Sequence, residues 1–227
     1  PIVFCELFPP DRFPLLFYRQ PSAPDIRIRL DDLDLGAIER AAVFWTTGTG
    51  LSAEPSRAAT LAALEKRGRK RFTVHDLDYR PALWPRPSEA GALQRRALQF
   101  ATVAVGNREE AEVAVGDGNP DDVARRLLEQ GPELAIVKLG GDGVVVAWGN
   151  DDIESIPAVP VEVVNGLGAG DAFGGAVCHG LLSGWTPREI VSFSAAAGSI
   201  VAGRLACADA MPDEAEVREA MDRRSAT

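Results

Sequence analysis

The sequence is short of everything that would mark a secreted, metal-clustered or membrane-bound chain. Cysteine occurs three times in 227 residues, at Cys5, Cys178 and Cys207. An odd number, outside any C-x-x-C spacing, excludes a disulfide framework and a zinc cluster and predicts reduced, partly buried thiols. His75 and His179 are the only histidines, too few and too far apart for a multi-histidine metal site, so structural roles are expected. Positive charge is in deficit: 24 Lys plus Arg against 33 Asp plus Glu leave a formal net charge of -9, the wrong sign for nucleic acid or anionic lipid. No apolar run approaches a membrane span, and the first residues lack a signal peptide's basic region and cleavage pattern. The expectation is a soluble, cytoplasmic protein that binds a small molecule, with neither nucleic acid nor membrane as partner.

What is present is enough apolar sequence, 46% of residues, for one well-buried core but not two substantial domains. The chain opens "PIVFCELFPPDRFP", without Met and directly in strand-like sequence, so its left edge reads as cut. Residues 1–227 are therefore expected to form a single, amino-terminally truncated α/β domain. Before Ala41, "PPDRFPLLFYRQPSAPDIRI" is too rich in proline for regular helix; residues 1–30 read as an edge strand, a lid over a site or a plain surface loop.

From Ala41 onward short apolar runs alternate with helix-like segments, the pattern of a mostly parallel sheet flanked by helices. "AAVFWTTG", "RFTVHDLD" and "TVAVGN" read as strands. "SAEPSRAATLAALEKRG", with Pro55 in a first turn and Gly68 as a stop, "PSEAGALQRRALQFA", and "NPDDVARRLLEQG", opened by Asn119 and closed by Gly131, read as helices. The rhythm changes in "ELAIVKLGGDGVVVAWG", where two β-rich runs flank a glycine turn too short for a crossover helix, so an antiparallel hairpin is predicted. A "VEVV" strand, a helix near Asp171, a helix over residues 187–202 and a last helix in "PDEAEVREAMDRR" complete the order.

The chemistry concentrates in "VEVVNGLGAGDAF" at residues 161–173. A glycine-rich turn feeding a helix offers unpaired amides and a helix dipole to an anion. It is not the dinucleotide fingerprint, whose third glycine would fall at Asp171, and it has no G-K-[ST] of a P-loop. Asp171 beside an anion cradle reads two ways: a base that takes a proton from a hydroxyl attacking a phosphate, or a helix cap.

"NGLGAGDAFGGA" resembles the second signature of the ribokinase-like (PfkB) carbohydrate kinases, usually D-T-x-G-A-G-D, and the element order and hairpin fit that fold. The resemblance implies ATP and Mg2+ as cofactors, Asp171 as general base, and the amides of Gly168, Ala169 and Gly170 as the anion hole for the transferring phosphoryl group. Asn107 and Glu110 in "GNREE" match the family's N-x-x-E, which the resemblance links to Mg2+, through water, and to phosphate. The same spacing is also a capping box. Lys138, Gly140 and Gly143 in "VKLGGDG" resemble the nucleotide-side loop, and "SAAAGSIVAG" the lining of the adenine pocket; a tight turn and close helix packing would select the same residues. Asn165 and Gly166 replace the usual Asp-Thr, which bears on any monovalent-cation site, such as one for K+.

"HDLDYRPALW" puts Asp76, Asp78 and Arg80 at or past a strand's C-terminal end, where open α/β sheets bind ligands. Arg80 offers a fork for a carboxylate or phosphate, or a salt bridge to a neighbouring aspartate. The segment resembles the D-x-N-x-R-P-x-x-W region of the family's sugar-acid kinases, with Asp78 in place of Asn. Together with "FWTTGTGLSAEPSR" and "RLACADAMP" this likeness runs from Phe4 to about Glu216. It implies phosphorylation of a sugar-acid hydroxyl of the 5-dehydro-2-deoxygluconate kind, in myo-inositol catabolism. The alternatives are a 2-keto-3-deoxygluconate or ribose acceptor, or a non-catalytic nucleotide-binding fragment, since the family's opening third has no counterpart here. A homodimer formed through the lid is a further implication.

Overall fold

The computed structural model describes residues 1–9, 12–19 and 22–225. Two compact units emerge: a helical unit of residues 1–21, 140–144 and 155–227, and a sheet unit of residues 22–139 and 145–154.

The chain starts with an antiparallel ribbon, β1 (Ile2–Cys5) on β2 (Leu15–Tyr18), in which Ile2 faces Tyr18 and Phe4 faces Leu16. Those four side chains are all exposed. The edge-strand reading of this region thus has a counterpart in β2, followed by 3-10 turns at Pro24–Arg27 and Leu30–Asp32.

In the sheet unit, α1 (Leu35–Arg40) leads into β3 (Val43–Thr47), α2 (Ser56–Arg67), β4 (Phe72–Asp76), α3 (Pro87–Leu98), β5 (Val103–Asn107), α4 (Arg108–Val115), α5 (Pro120–Glu129) and β6 (Leu134–Lys138). The caps act as read from the sequence: Gly68 ends α2 at φ 59°, and the Asn119 side chain accepts from Asp122 N–H ahead of Pro120. β7 (Val144–Trp148) follows β6 after residues 139–143, and β8 (Asp152–Ile156) follows in turn. The six strands lie in the order β3-β4-β5-β6-β7-β8, parallel through the first three pairings. Leu77, Leu98, Val123, Leu127, Val137 and Val145 form one buried cluster, and Leu51, Leu64, Tyr79, Trp84 and Ala97 another.

Parallel strands bring the ends of β4, β5 and β6 to one edge, and a buried polar chain fixes the β4 end. His75 is fully buried, with Nδ1 2.9 Å from Thr46 Oγ1 and Nε2 2.6 Å from Gln94 Oε1. The Gln94 amide nitrogen donates to the Leu77 carbonyl at 2.5 Å. Burial pushes the His75 pKa down to about 4, so the ring is a neutral strut, the structural role expected of it.

In the helical unit α6 (Ala169–Ser183), α7 (Pro187–Ala202) and α8 (Glu214–Ser225) pack round Ala172, Ala176, Phe193, Ala196 and Val217. Thr186 and Glu189 close a capping box at the start of α7. The "VEVV" strand is not formed: residues 161–164 are irregular. A strand requires a ladder of partners, whereas Val164 N–H and Asn165 N–H both go to the single Ala202 carbonyl, at 2.8 and 3.0 Å. The three cysteines are free and half-buried. Among the described residues, no helix is long and apolar enough to cross a membrane.

Candidate active site

Two sets of expected site residues are built differently. In the sheet unit they sit on the strand ends. Asn107 ends β5 and caps α4: its side-chain oxygen accepts from Glu110 N–H at 2.9 Å, and a Glu110 carboxylate oxygen accepts from Asn107 N–H at 2.7 Å. The capping box is therefore real. Its Glu110 is 4% exposed; burial raises its carboxyl above the usual range, while Lys138, the Asn107 amide and Arg80 pull it down. Lys138 is the register partner of Asn107 at the end of β6. Asp76, ending β4, is pushed up to about 6 by burial, against the pull of Lys138. Sequence reading placed Asp76 at this edge, but only folding reveals that the residue is partly buried there.

Past Asp76 the loop is tightly held. Asp78 adopts φ 31°, and its N–H donates to Asp76 Oδ1 at 3.2 Å. Arg80 Nη2 lies 2.8 Å from Asp78 Oδ1, the salt bridge that was one of its two readings, while 43% of the Arg80 side chain stays exposed. Asn107, Glu110, Lys138, Asp78 and Arg80 are thus brought together, as electrostatic neighbours of Glu110.

The second set lies in the helical unit. Gly168 precedes α6 at φ 89°, a left-handed conformation costly for any other residue, and a Cβ there would lie 3.0 Å from Cys207 Cβ. The first helical bond runs from Ala172 N–H to Gly168 O at 3.0 Å, so the amides of Ala169, Gly170 and Asp171 have no partner within the helix. No side chain caps this end. Asp171 stands exposed in the first turn; the capping role open to it is not taken. A groove of about 310 Å³ runs from Asp171 past Gly175, His179, Phe193 and Ala197.

Asn165 is 4% exposed and fully engaged: Nδ2 donates to Leu205 O at 2.8 Å, and Oδ1 accepts from Leu167 N–H at 3.0 Å, with Cys5 Sγ at 3.7 Å. It fixes the loop from inside. Phe13 lies over Gly166, 2.9 Å from where a Cβ would stand, so the amino-terminal segment reaches the glycine loop. Gly143, at φ 96°, leaves no room for a Cβ beside the Ile156 carbonyl; Gly140, at φ 62°, is required by conformation alone. In α7, Ala195, Ala196, Ala197 and Gly198 are buried, with Gly198 against the Ala169 carbonyl. Helix packing accounts for that stretch, and of these four only Ala197 reaches the groove.

Within the helical unit, an uncapped glycine turn with a free carboxylate behind it is an arrangement that can take an anion. The pattern of the pfkB family carbohydrate kinases matches residues 14–214. This chain belongs to that family. A curated pfkB-type relative, 5-dehydro-2-deoxygluconokinase of Shouchella clausii, is 30% identical over 223 residues, which is 96% of this chain and 67% of the relative. The Geobacillus kaustophilus protein of the same name is also 30% identical, with 66% of its length covered. The chain thus spans about two thirds of the length of the curated relatives it matches. Among solved structures, fructokinase from Xylella fastidiosa with bound ATP aligns with a TM-score of 0.81 at 21% identity, over 98% of this chain and 74% of that one. A fructokinase double mutant from Vibrio cholerae, bound to fructose, ADP and potassium ion, gives 0.78 at 23%, over 92% and 68%. The fold is ribokinase-like.

Mg2+ fits the pfkB residues present in one manner only. No three His, Cys, Asp or Glu side chains converge as a metal cage among the described residues. Mg2+ keeps several waters and takes one or two carboxylates plus substrate phosphates. Glu110, whose carboxylate already holds the Asn107 amide, suits a water-mediated place in such a shell.

Proposed function

We propose that this chain transfers the γ-phosphoryl group of ATP to a hydroxyl of a sugar acid, most specifically the 6-hydroxyl of 5-dehydro-2-deoxy-D-gluconate, in inositol catabolism in the cytoplasm. The observation that carries the reading is the bare amino terminus of α6: three helix amides without internal partners and an exposed Asp171 carboxylate that caps nothing. A carboxylate beside an anion cradle repels the bound phosphate unless it removes the proton of the attacking hydroxyl. Asp171 is accordingly the general base, and the amides of the Gly168–Gly170 turn steady the charge on the transferring group.

Asp78 and Arg80 would hold the acceptor, the Arg80 fork meeting its carboxylate. Lys138, Gly140 and Gly143 would face the nucleotide. Asn107 and Glu110 would hold Mg2+ through water, and the ion would offset charge on the β- and γ-phosphoryl oxygens. Any K+ would be held mainly by backbone carbonyls, because the Asn165 side-chain oxygen already has two donors. Residues 1–227 act in this reading as one kinase domain, with residues 1–30 as part of a lid that can also pair two copies.

The test is ADP release by this polypeptide with Mg-ATP and each of three acceptors: 5-dehydro-2-deoxygluconate, 2-keto-3-deoxygluconate and ribose. Release that depends on the first supports the assignment. Release with another acceptor keeps the chemistry and replaces the substrate. Failure of all three, while ATP still raises the melting temperature, makes the chain a nucleotide-binding module.

A further inference from the structure

Asp78 is one of two non-glycine residues at positive φ among the described residues, the other being Arg71. Backbone strain of this kind persists where surrounding contacts over-determine it, and at Asp78 those contacts are specific. Thr49 Oγ1 donates to Asp78 Oδ2 at 2.5 Å, and Arg80 Nη2 donates to Asp78 Oδ1 at 2.8 Å. Each carboxylate oxygen has its own partner, so the group cannot rotate without losing both. Thr49 is itself anchored just beyond β3, its carbonyl accepting from Ser52 N–H at 3.1 Å and from Ser52 Oγ at 2.7 Å. Below the loop, Leu77 is fully buried and takes the Gln94 hydrogen bond.

We infer that Thr49 is a positioning residue that fixes the Arg80 guanidinium by way of Asp78 and so sets a preference for an acceptor bearing a carboxylate. The inference rests on the kinase reading above. A half-exposed ion pair adds little to stability, so stability alone does not explain a strained aspartate pinned from both sides. What the arrangement does achieve is directional: one edge of the guanidinium is held by Asp78, and the remaining donors of its planar fork are presented in a fixed orientation. A carboxylate meeting a preset fork makes its hydrogen bonds without first ordering a flexible side chain. A neutral sugar gains nothing from that order.

The experiment compares the whole chain with Thr49→Val and Thr49→Ser, using two readouts. The first is the 15N NMR signature of Arg80, hindered rotation of its guanidinium, which needs no turnover. The second is the split between KM and kcat for 5-dehydro-2-deoxygluconate and for ribose. Thr49→Val is expected to free the guanidinium and raise KM for the acid about tenfold or more, with kcat and the ribose KM changed little; Thr49→Ser restores both. Unchanged Arg80 rotation in Thr49→Val overturns the positioning role. Freed rotation with an unchanged preference for the acid overturns the link to specificity. If the unmodified chain turns over neither acceptor, the kinase reading fails and the specificity claim with it, while the NMR result still decides whether Thr49 positions Arg80.

Discussion

The strand ends of the sheet unit and the amino terminus of α6 are both lined with polar groups, yet they are opposites. At the strand ends the groups are committed to one another: Asn107 to Glu110, Asp76 to the Asp78 amide, and Asp78 to both Thr49 and Arg80. At α6 the glycine turn leaves its amides and Asp171 uncommitted. A network satisfied from within holds shape and orients what binds to it. An unsatisfied helix end is held open for an anion, and its free carboxylate is available for proton transfer. Under the proposed function, binding and orientation fall to one region and reaction to the other.

The comparison breaks most severely if the open end can be filled without cost. Gly168→Val would add a side chain at φ 89° and bring its Cβ to 3.0 Å from Cys207 Cβ, and should destabilise the fold by about 3 kcal/mol, strain and crowding together. Urea unfolding checks this; a loss below about 0.5 kcal/mol would mean that the turn is not constrained as described.

The committed region should reveal its burial through pH. Asp76, raised to about 6, keeps its proton in the folded state where the unfolded chain has lost it, so its contribution falls as pH rises from about 4 to about 6. His75, lowered to about 4, works the other way over 4 to 6.5: the unfolded ring takes up a proton that the buried ring refuses. Asp76→Asn keeps the acceptor for the Asp78 amide and removes the first effect. It should stabilise the fold at pH 7 by on the order of 2 kcal/mol and make stability climb more steeply between pH 4 and 6. Chemical denaturation across that range is the check.

Glu110→Gln sharpens the comparison further, because glutamine serves a capping box nearly as well as glutamate. Stability should hold or rise, because burial already opposes the Glu110 charge, while the Mg-ATP requirement should weaken, with KM raised about tenfold, the effect of losing one charged contact. A large fall in melting temperature with unaltered KM would reduce Glu110 to its cap.

Much of the sheet unit was legible because its elements are local. Apolar periodicity, Gly68 as a stop and Asn119 with Pro120 as a start mark α2 and α5 without tertiary information. The turn glycines at 140 and 143 likewise announce the β6–β7 hairpin. Three elements escaped the reading: α1, which lies in the stretch before Ala41 where no helix was expected, α4, whose signal in "GNREE" was recognised as a cap but not extended into a helix, and β8, whose "DIESI" alternates weakly. "VEVV" carries strand composition, yet strand pairing depends on a neighbour far along the chain, and composition cannot supply one. The site divides in the same way. Asp171, Asn107 and Glu110 could be singled out as candidates because they stand in a motif; the grip of Thr49 on Asp78 could not, because nothing in "WTTGTG" distinguishes one threonine from the next until the loops meet.

The most direct test of the division between orienting and reacting regions is to measure ATP affinity by calorimetry and acceptor-dependent ADP release on the same preparation of Asp171→Asn. The account predicts a fall in turnover of about a hundredfold or more, the usual contribution of a general base, with ATP affinity within about twofold of the unmodified chain. Undiminished turnover would contradict it, and would return Asp171 to the status of an ordinary surface carboxylate.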